Sequence, residues 1–135
     1  MQALIKRINR REWWHVQPQD TNAYQKRGKF YSSSFAEAEF YGRPSDSERV
    51  TVCRPLIGDE AEIEMTLLGC CPSDGLDKLE SGMPVISARL ELDAMLKLAA
   101  VAGGYDAIVL MTPKAWRVFL ETEKSPRSME LNIFI

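Results

Sequence analysis

Residues 90–111 carry the strongest folding instruction in the chain. Leu92, Met95, Leu96, Ala99 and Ala100 form a continuous apolar stripe at helical spacing, and Gly103-Gly104 ends that helix. An apolar stretch over 105–111, bounded by Pro113, follows at once and reads as a strand. A helix that hands over to a strand within two residues belongs to mixed folds. At 135 residues the chain is long enough to bury one core without disulfides or a structural metal, and too short for two. It is read as a single domain over residues 1–135.

The remaining segments repeat this mixture. Residues 12–16, with Trp13, Trp14 and Val16, read as a first strand followed by a loop bearing Pro18. Asp20 or Thr21 is placed to cap a short helix that Gly28 ends. Residues 29–33 read as a second strand. Ser34 then stands as N-cap of a helix over 35–41, in which Phe35, Ala38 and Tyr41 share a face. Residues 49–54 alternate as a third strand that stops at Pro55. Residues 59–68 fit either strand or helix, because apolar residues alternate at 61, 63, 65 and 67 among alanine and glutamates that favour a helix. Residues 70–82 read as a surface excursion with at most one helical turn. Residues 116–120 and 129–135, around Ser125-Pro126-Arg127, read as a terminal hairpin. The class expected is α+β: a small mixed, mostly antiparallel split sheet of five to seven short strands with inserted helices.

Composition closes several functional classes. Seventeen Lys and Arg against 19 Asp and Glu leave a formal charge of -2, which argues against a protein devoted to neutralising nucleic-acid phosphate while leaving room for a local basic groove. Lys6, Arg7, Arg10 and Arg11 form a basic cluster, read as a solvated strand face or arm. No apolar run approaches the ~20 residues of a membrane span, and residues 1–11 lack an apolar signal region. A cytoplasmic setting follows as the expectation. Cys53, Cys70 and Cys71 form no even set and, with His15 as the sole histidine, no zinc-ligand spacing. They are read as buried, inert thiols, and no metal is expected.

No phosphate-binding glycine loop, nucleophile elbow or paired-histidine zinc helix is present. What stands out is an order of features: Trp14-His15 on the first strand, a short helix ending at Gly28, Phe30-Tyr31-Ser32-Ser33-Ser34 on the next strand, and a helix ending Ala38-Glu39-Phe40-Tyr41. Later come Gly103-Gly104-Tyr105-Asp106-Ala107-Ile108-Val109 and the terminal Met129-Glu130-Leu131-Asn132-Ile133-Phe134. From about residue 12 to the end, this order resembles the ADP-ribosyltransferase-like fold of poly-ADP-ribose polymerases, diphtheria-type toxins and RNA 2′-phosphotransferases.

The resemblance implies NAD as substrate and a carboxylate-assisted break of its nicotinamide–ribose bond through an oxocarbenium-like transition state. It implies that His15 holds the adenosine-side ribose and that Phe30 or Tyr31 stacks on nicotinamide, with Tyr41 completing the aromatic wall. Glu130, with Glu121 on a partner strand as the alternative, would bond the other ribose. Ser32, Ser33 and Ser34 would bond ligand amide or sugar oxygens. The acceptor implied is a macromolecule, in first place a protein, as for a toxin or a phage-borne effector. Phe30 stands where many members carry tyrosine, which keeps stacking but loses a hydroxyl and leaves a non-catalytic binding module as the rival reading. The resemblance is also compatible with NAD glycohydrolase activity or with RNA 2′-phosphotransferase activity. Read without the resemblance, His15, Tyr31 and Tyr41 are core residues, Ser34 a plain cap and Glu130 an edge-strand charge.

Overall fold

Six short strands build one sheet. The computed structural model describes residues 1–15, 22–34, 47–76 and 83–134. Helix α1 (Gln2–Arg10) leads into β1 (Glu12–Trp14), α2 (Ala23–Arg27), β2 (Lys29–Ser32), β3 (Ser47–Arg49) and β4 (Pro55–Gly58). Then follow α3 (Glu60–Leu68), a single turn α4 (Ser73–Leu76), the long α5 (Met83–Ala102), β5 (Ala107–Leu110), α6 (Pro113–Thr122) and β6 (Glu130–Ile133). The strand order is β3-β1-β2-β6-β5-β4, antiparallel except for the parallel pair β4 and β5. These strands form one continuous sheet rather than the split sheet expected, because β6 pairs with both β2 and β5 and so joins the two halves.

Each face of the sheet carries its own apolar cluster. On one face Trp13, Tyr31, Leu131, Val109 and Ile57 pack with Leu4 and Ile8 of α1 and Phe119 of α6. On the other, Ile108 packs with Ile63 of α3 and Ala100 of α5. The parity of β5, with Ala107 and Val109 on one side and Ile108 on the other, is what a strand covered on both faces requires.

Several sequence expectations change, each for a local reason. Residues 2–10 are a helix rather than a strand face or arm: Leu4 and Ile8, one turn apart, are buried while Lys6, Arg7 and Arg10 stay in solvent. Of the expected third strand over 49–54 only Arg49 enters the sheet, as the last residue of β3. Val50 and Val52 are buried without a ladder, because side chains take the ladder's place. Asn9 accepts from the Val52 amide at 2.8 Å and donates to its carbonyl at 2.9 Å. Asp106 accepts from the amides of Cys53 and Arg54 at 2.7 and 2.9 Å. Pro55 opens β4 instead of ending a strand, a position where its missing N–H is tolerated.

Residues 60–68 resolve as helix, with Asp59 as N-cap accepting from the Glu62 amide and Gly69 in the left-handed region closing the end. The expected terminal hairpin is half helix: Thr112 caps α6, Pro113 occupies its first turn, and residues 116–120 lie inside it. Cys53 and Cys70 are exposed and Cys71 half-buried, against the expectation of buried thiols, since all three lie in connecting segments. The expected helix over 35–41, and the caps at Asp20 and Thr21, lie outside the described residues. No helix among the described residues is long and apolar enough to cross a membrane.

Candidate functional site

Three strands that the sequence holds far apart meet at the centre of the sheet. Trp14 of β1 pairs with Ser32 of β2, and Ser32 pairs with Glu130 of β6. In-register neighbours share a face and adjacent residues alternate, so Ser32, Glu130, Phe30 and Asn132 lie on one side while Tyr31 lies on the other. The expected site residues therefore separate into two groups.

The first group surrounds His15. Its ring lies 5.4 Å from that of Tyr31, and its Nε2 is 3.2 Å from the Tyr24 hydroxyl. Tyr31 donates to Glu48 Oε1 at 2.5 Å, Lys29 Nζ donates to the same oxygen at 2.9 Å, and His15 Nδ1 stands 4.0 Å from it. The Lys29 ammonium also lies over the rings of Tyr24 and Tyr31 at 5.5 and 5.4 Å. Burial, helped by the Lys29 charge, lowers the His15 pKa below its usual value against the opposing pull of Glu48, which favours the neutral ring at pH 7. The Tyr31 phenol is pushed up to about 12 by burial and its bond to Glu48, and the Tyr31 and Lys29 donors hold Glu48 below the usual carboxylate range. The result is an ordered hydrogen-bonded set around one carboxylate.

The second group faces α3 and α5. Phe30, Glu130 and Asn132 line a cavity of about 60 Å³ together with Arg89 and Asp93 of α5 and Glu60 of α3. Phe30 leaves 43% of its surface to solvent, unusual for an aromatic at the middle of a sheet. Arg89 and Glu60 form an ion pair at 2.5 Å. Burial pushes the Asp93 carboxyl up to about 6, although Arg89 and Arg27 pull it down. Glu130 also borders a second, larger cavity of about 410 Å³, which reaches Asp59, Ser73, Thr112 and Ser128. That volume falls within the usual range for small-molecule pockets. It opens past the carboxyl ends of the parallel strands β4 and β5, the end of such strands where open α/β sheets commonly place ligands.

α2 is pressed onto this face by an unusual contact. Gly28 adopts φ 91°, and a Cβ there would lie 2.1 Å from Asn132 Oδ1. Asn132 donates to the Arg27 carbonyl at 2.8 Å, while Lys97 of α5, buried, donates to the carbonyls of Tyr24 and Gln25 and so closes the same helix end.

Of the expected ligand-binding residues, His15 and Tyr31 thus come together on one face, and Phe30, Ser32 and Glu130 on the other. Ser34 follows Ser33, whose hydroxyl accepts from the Met129 amide at 2.9 Å immediately before Glu130. Glu121, expected on a strand beside that of Glu130, is instead an exposed residue near the end of α6. Tyr41 lies outside the described residues. Sequence reasoning passed over Arg89 and Asp93, and Asp93 carried a signal: it stands three residues before Leu96 and seven before Ala100, on the buried side of the best helix. Among the described residues no cluster of His, Cys, Asp and Glu has the arrangement of a metal site. The chain matches no protein-family model, no curated protein and no solved structure.

Proposed function

We propose that this chain is an ADP-ribosyltransferase-like protein that binds NAD on the Phe30–Glu130 face and transfers ADP-ribose to a macromolecular acceptor. One observation carries the reading: Phe30 and Glu130 line the same cavity, on neighbouring strands, with Ser32 directly across from Glu130. An aromatic for a planar ring, a hydroxyl and a carboxylate for a ribose are what cleavage of the nicotinamide–ribose bond asks of a protein. In that reaction the C1′–N bond breaks with its electron pair leaving on nicotinamide, the ribose takes on oxocarbenium character, and the acceptor's nucleophile closes the new bond and loses its proton. Glu130 accepts the 2′-hydroxyl hydrogen bond and stabilises the positive charge, Phe30 stacks on the departing ring, and Arg89 supplies a cation for the pyrophosphate. The adjacency of β2 and β6, which bear Phe30 and Glu130, and of β1, which His15 follows, supports the fold assignment. His15 and Tyr31, on the opposite face, take no direct part in this version of the site.

The test is NAD binding by calorimetry together with nicotinamide release, with and without cell lysate as acceptor source. Phe30→Ala is expected to weaken binding, and Glu130→Gln to lower turnover roughly 10²–10³-fold, the scale of losing one preorganised electrostatic contact. His15→Ala is expected to leave both nearly unchanged. Loss of binding in His15→Ala but not in Phe30→Ala would move the site to the other face. Binding without turnover in wild type would favour the binding-module reading, and no binding at millimolar NAD would overturn both.

A further inference from the structure

We propose that the exposed side of α1 is a docking surface for a nucleic-acid phosphate backbone, independent of the NAD reading. Lys6, Arg7, Arg10 and Arg11, with Ala3, line a surface recess of about 380 Å³, and residues 1–11 contain no acidic side chain. In a chain whose overall charge is -2, this concentration of cations is local rather than a product of composition.

The recess is built, not merely charged. α1 is fixed to the core by Leu4 and Ile8, both buried, so its basic side cannot rotate inward. Arg7 donates to the Ser125 hydroxyl at 2.5 Å, and Arg11 donates to the Ser33 carbonyl at 3.1 Å while its guanidinium lies 5.1 Å from the centre of the Trp13 ring. Both contacts reach the segment that precedes β6, since Ser33 in turn donates to the Arg127 carbonyl. Lys124 and Arg127, exposed in that segment, extend the basic surface beyond the recess. Glu121 and Glu123 close α6 just before it and do not line the recess.

The chemistry selects the partner. Guanidinium groups recognise phosphate in a bidentate way, and three of the four cations lining the recess are arginines. Cations one helical turn apart, about 5–6 Å between their Cβ atoms, can contact successive phosphates of a strand. A bilayer is the poorer match: Leu4, Ile5 and Ile8 of α1 face the core, which leaves only the small Ala3 among the cations and no bulky apolar wedge to enter an interface.

The test is fluorescence anisotropy with a fluorescein-labelled 20-nucleotide single-stranded RNA and a 20-base-pair DNA duplex over 50–200 mM salt, alongside flotation with phosphatidylserine vesicles. Four phosphate contacts predict a slope of log K against log salt of about -3 on the single strand. Lys6→Glu/Arg10→Glu is expected to weaken binding at least 10-fold and to flatten the slope by about 1.4, whereas the charge-matched Arg49→Glu/Lys114→Glu keeps the wild-type slope. Thermal melts of both variants exclude unfolding as the cause. Equal loss in the two variants, unchanged binding in Lys6→Glu/Arg10→Glu, or wild-type binding to vesicles but to neither nucleic acid would overturn the proposal.

Discussion

Replacing Asp93 by asparagine should make the protein more stable at neutral pH and leave it almost unchanged in acid. Asp93 lines the small cavity between Phe30 and Glu130, and burial raises its pKa from 3.8 to about 6, against the pull of Arg89 and Arg27 and with the push of Glu60 and Glu130. Because the folded value lies above the unfolded one, the folded chain binds more protons between pH 4 and pH 6, and stability falls as pH rises through that window. A carboxyl raised from 3.8 to about 6 contributes about 3 kcal/mol that is gone by pH 7.5, with roughly half of it already lost at pH 5. That is a sizeable part of the ~5–15 kcal/mol typical of a domain.

Asparagine keeps the shape and cannot ionise. Melting curves of wild type and Asp93→Asn from pH 4 to 8 should therefore diverge with rising pH, reaching about 10 °C in favour of the variant at pH 7.5, taking ~3–5 °C per kcal/mol for a chain of this size. The difference between the two proteins isolates Asp93 from groups of opposite sign. His15, with a lowered pKa, removes stability as pH falls below its unfolded value of about 6.5, and Glu48, also lowered, does so further into acid. A variant that is less stable at pH 7.5, or a difference that does not change with pH, would refute the reasoning.

Two further predictions concern the support of this face. Gly28→Ala forces a side chain into a left-handed, extended backbone and onto Asn132 Oδ1, so it should cost about 3–5 kcal/mol in urea unfolding. In an Asn132→Ala background the steric share should be recovered and the backbone strain should persist, and equal costs in the two backgrounds would show that the contact is not felt. Glu64→Ala removes a fully buried carboxylate that accepts from both the Ser73 amide, at 2.8 Å, and its hydroxyl, at 2.5 Å; a loss of about 2–3 kcal/mol is expected, together with faster amide hydrogen exchange over 73–76, and an unaltered exchange pattern would contradict it.

Elements whose pattern is set by their own residues were readable. The helix ending at Gly103, the strand read over 29–33 and the short helix before Gly28 combine a local pattern with a punctuating glycine, and the structure has all three, the strand as 29–32. Segments whose conformation is settled by distant partners were not. Residues 50–54 alternate like a strand, yet their backbone is satisfied by Asn9 and Asp106, 43 and 53 residues away from the amides they bind. The N-terminal helix was hidden by four cations around three apolar residues, Leu4, Ile5 and Ile8, whose spacing is helical once the charges are set aside. Residues 116–120 read as strand because Trp116, Val118 and Phe119 favour one, but Thr112 and Pro113 start a helix just upstream, and a cap with proline in the first turn outweighs a mild strand preference.

The candidate site illustrates the same limit at the scale of one residue. Strand parity assigns Phe30 and Tyr31 to opposite faces, so a choice between them is a choice between two different sites, and composition cannot make it. Accounting for the buried polar groups narrows the choice. Glu64 caps α4, Ser33 secures the turn into β6, Lys97 closes α2, and Tyr31 and Lys29 are both committed to Glu48. Each satisfies backbone or another side chain, as buried polar groups must. The His15 set therefore reads as a closed network that holds β1, β2 and β3 together. On the opposite face, Phe30 is open to solvent, Glu130 borders two cavities, and Asp93, its carboxyl pushed up to about 6 by burial, lines the smaller of them. Exposure of an aromatic, a carboxylate at a cavity junction and a carboxyl raised well above the usual carboxylate range are features of functional sites, and they converge on one side of the sheet.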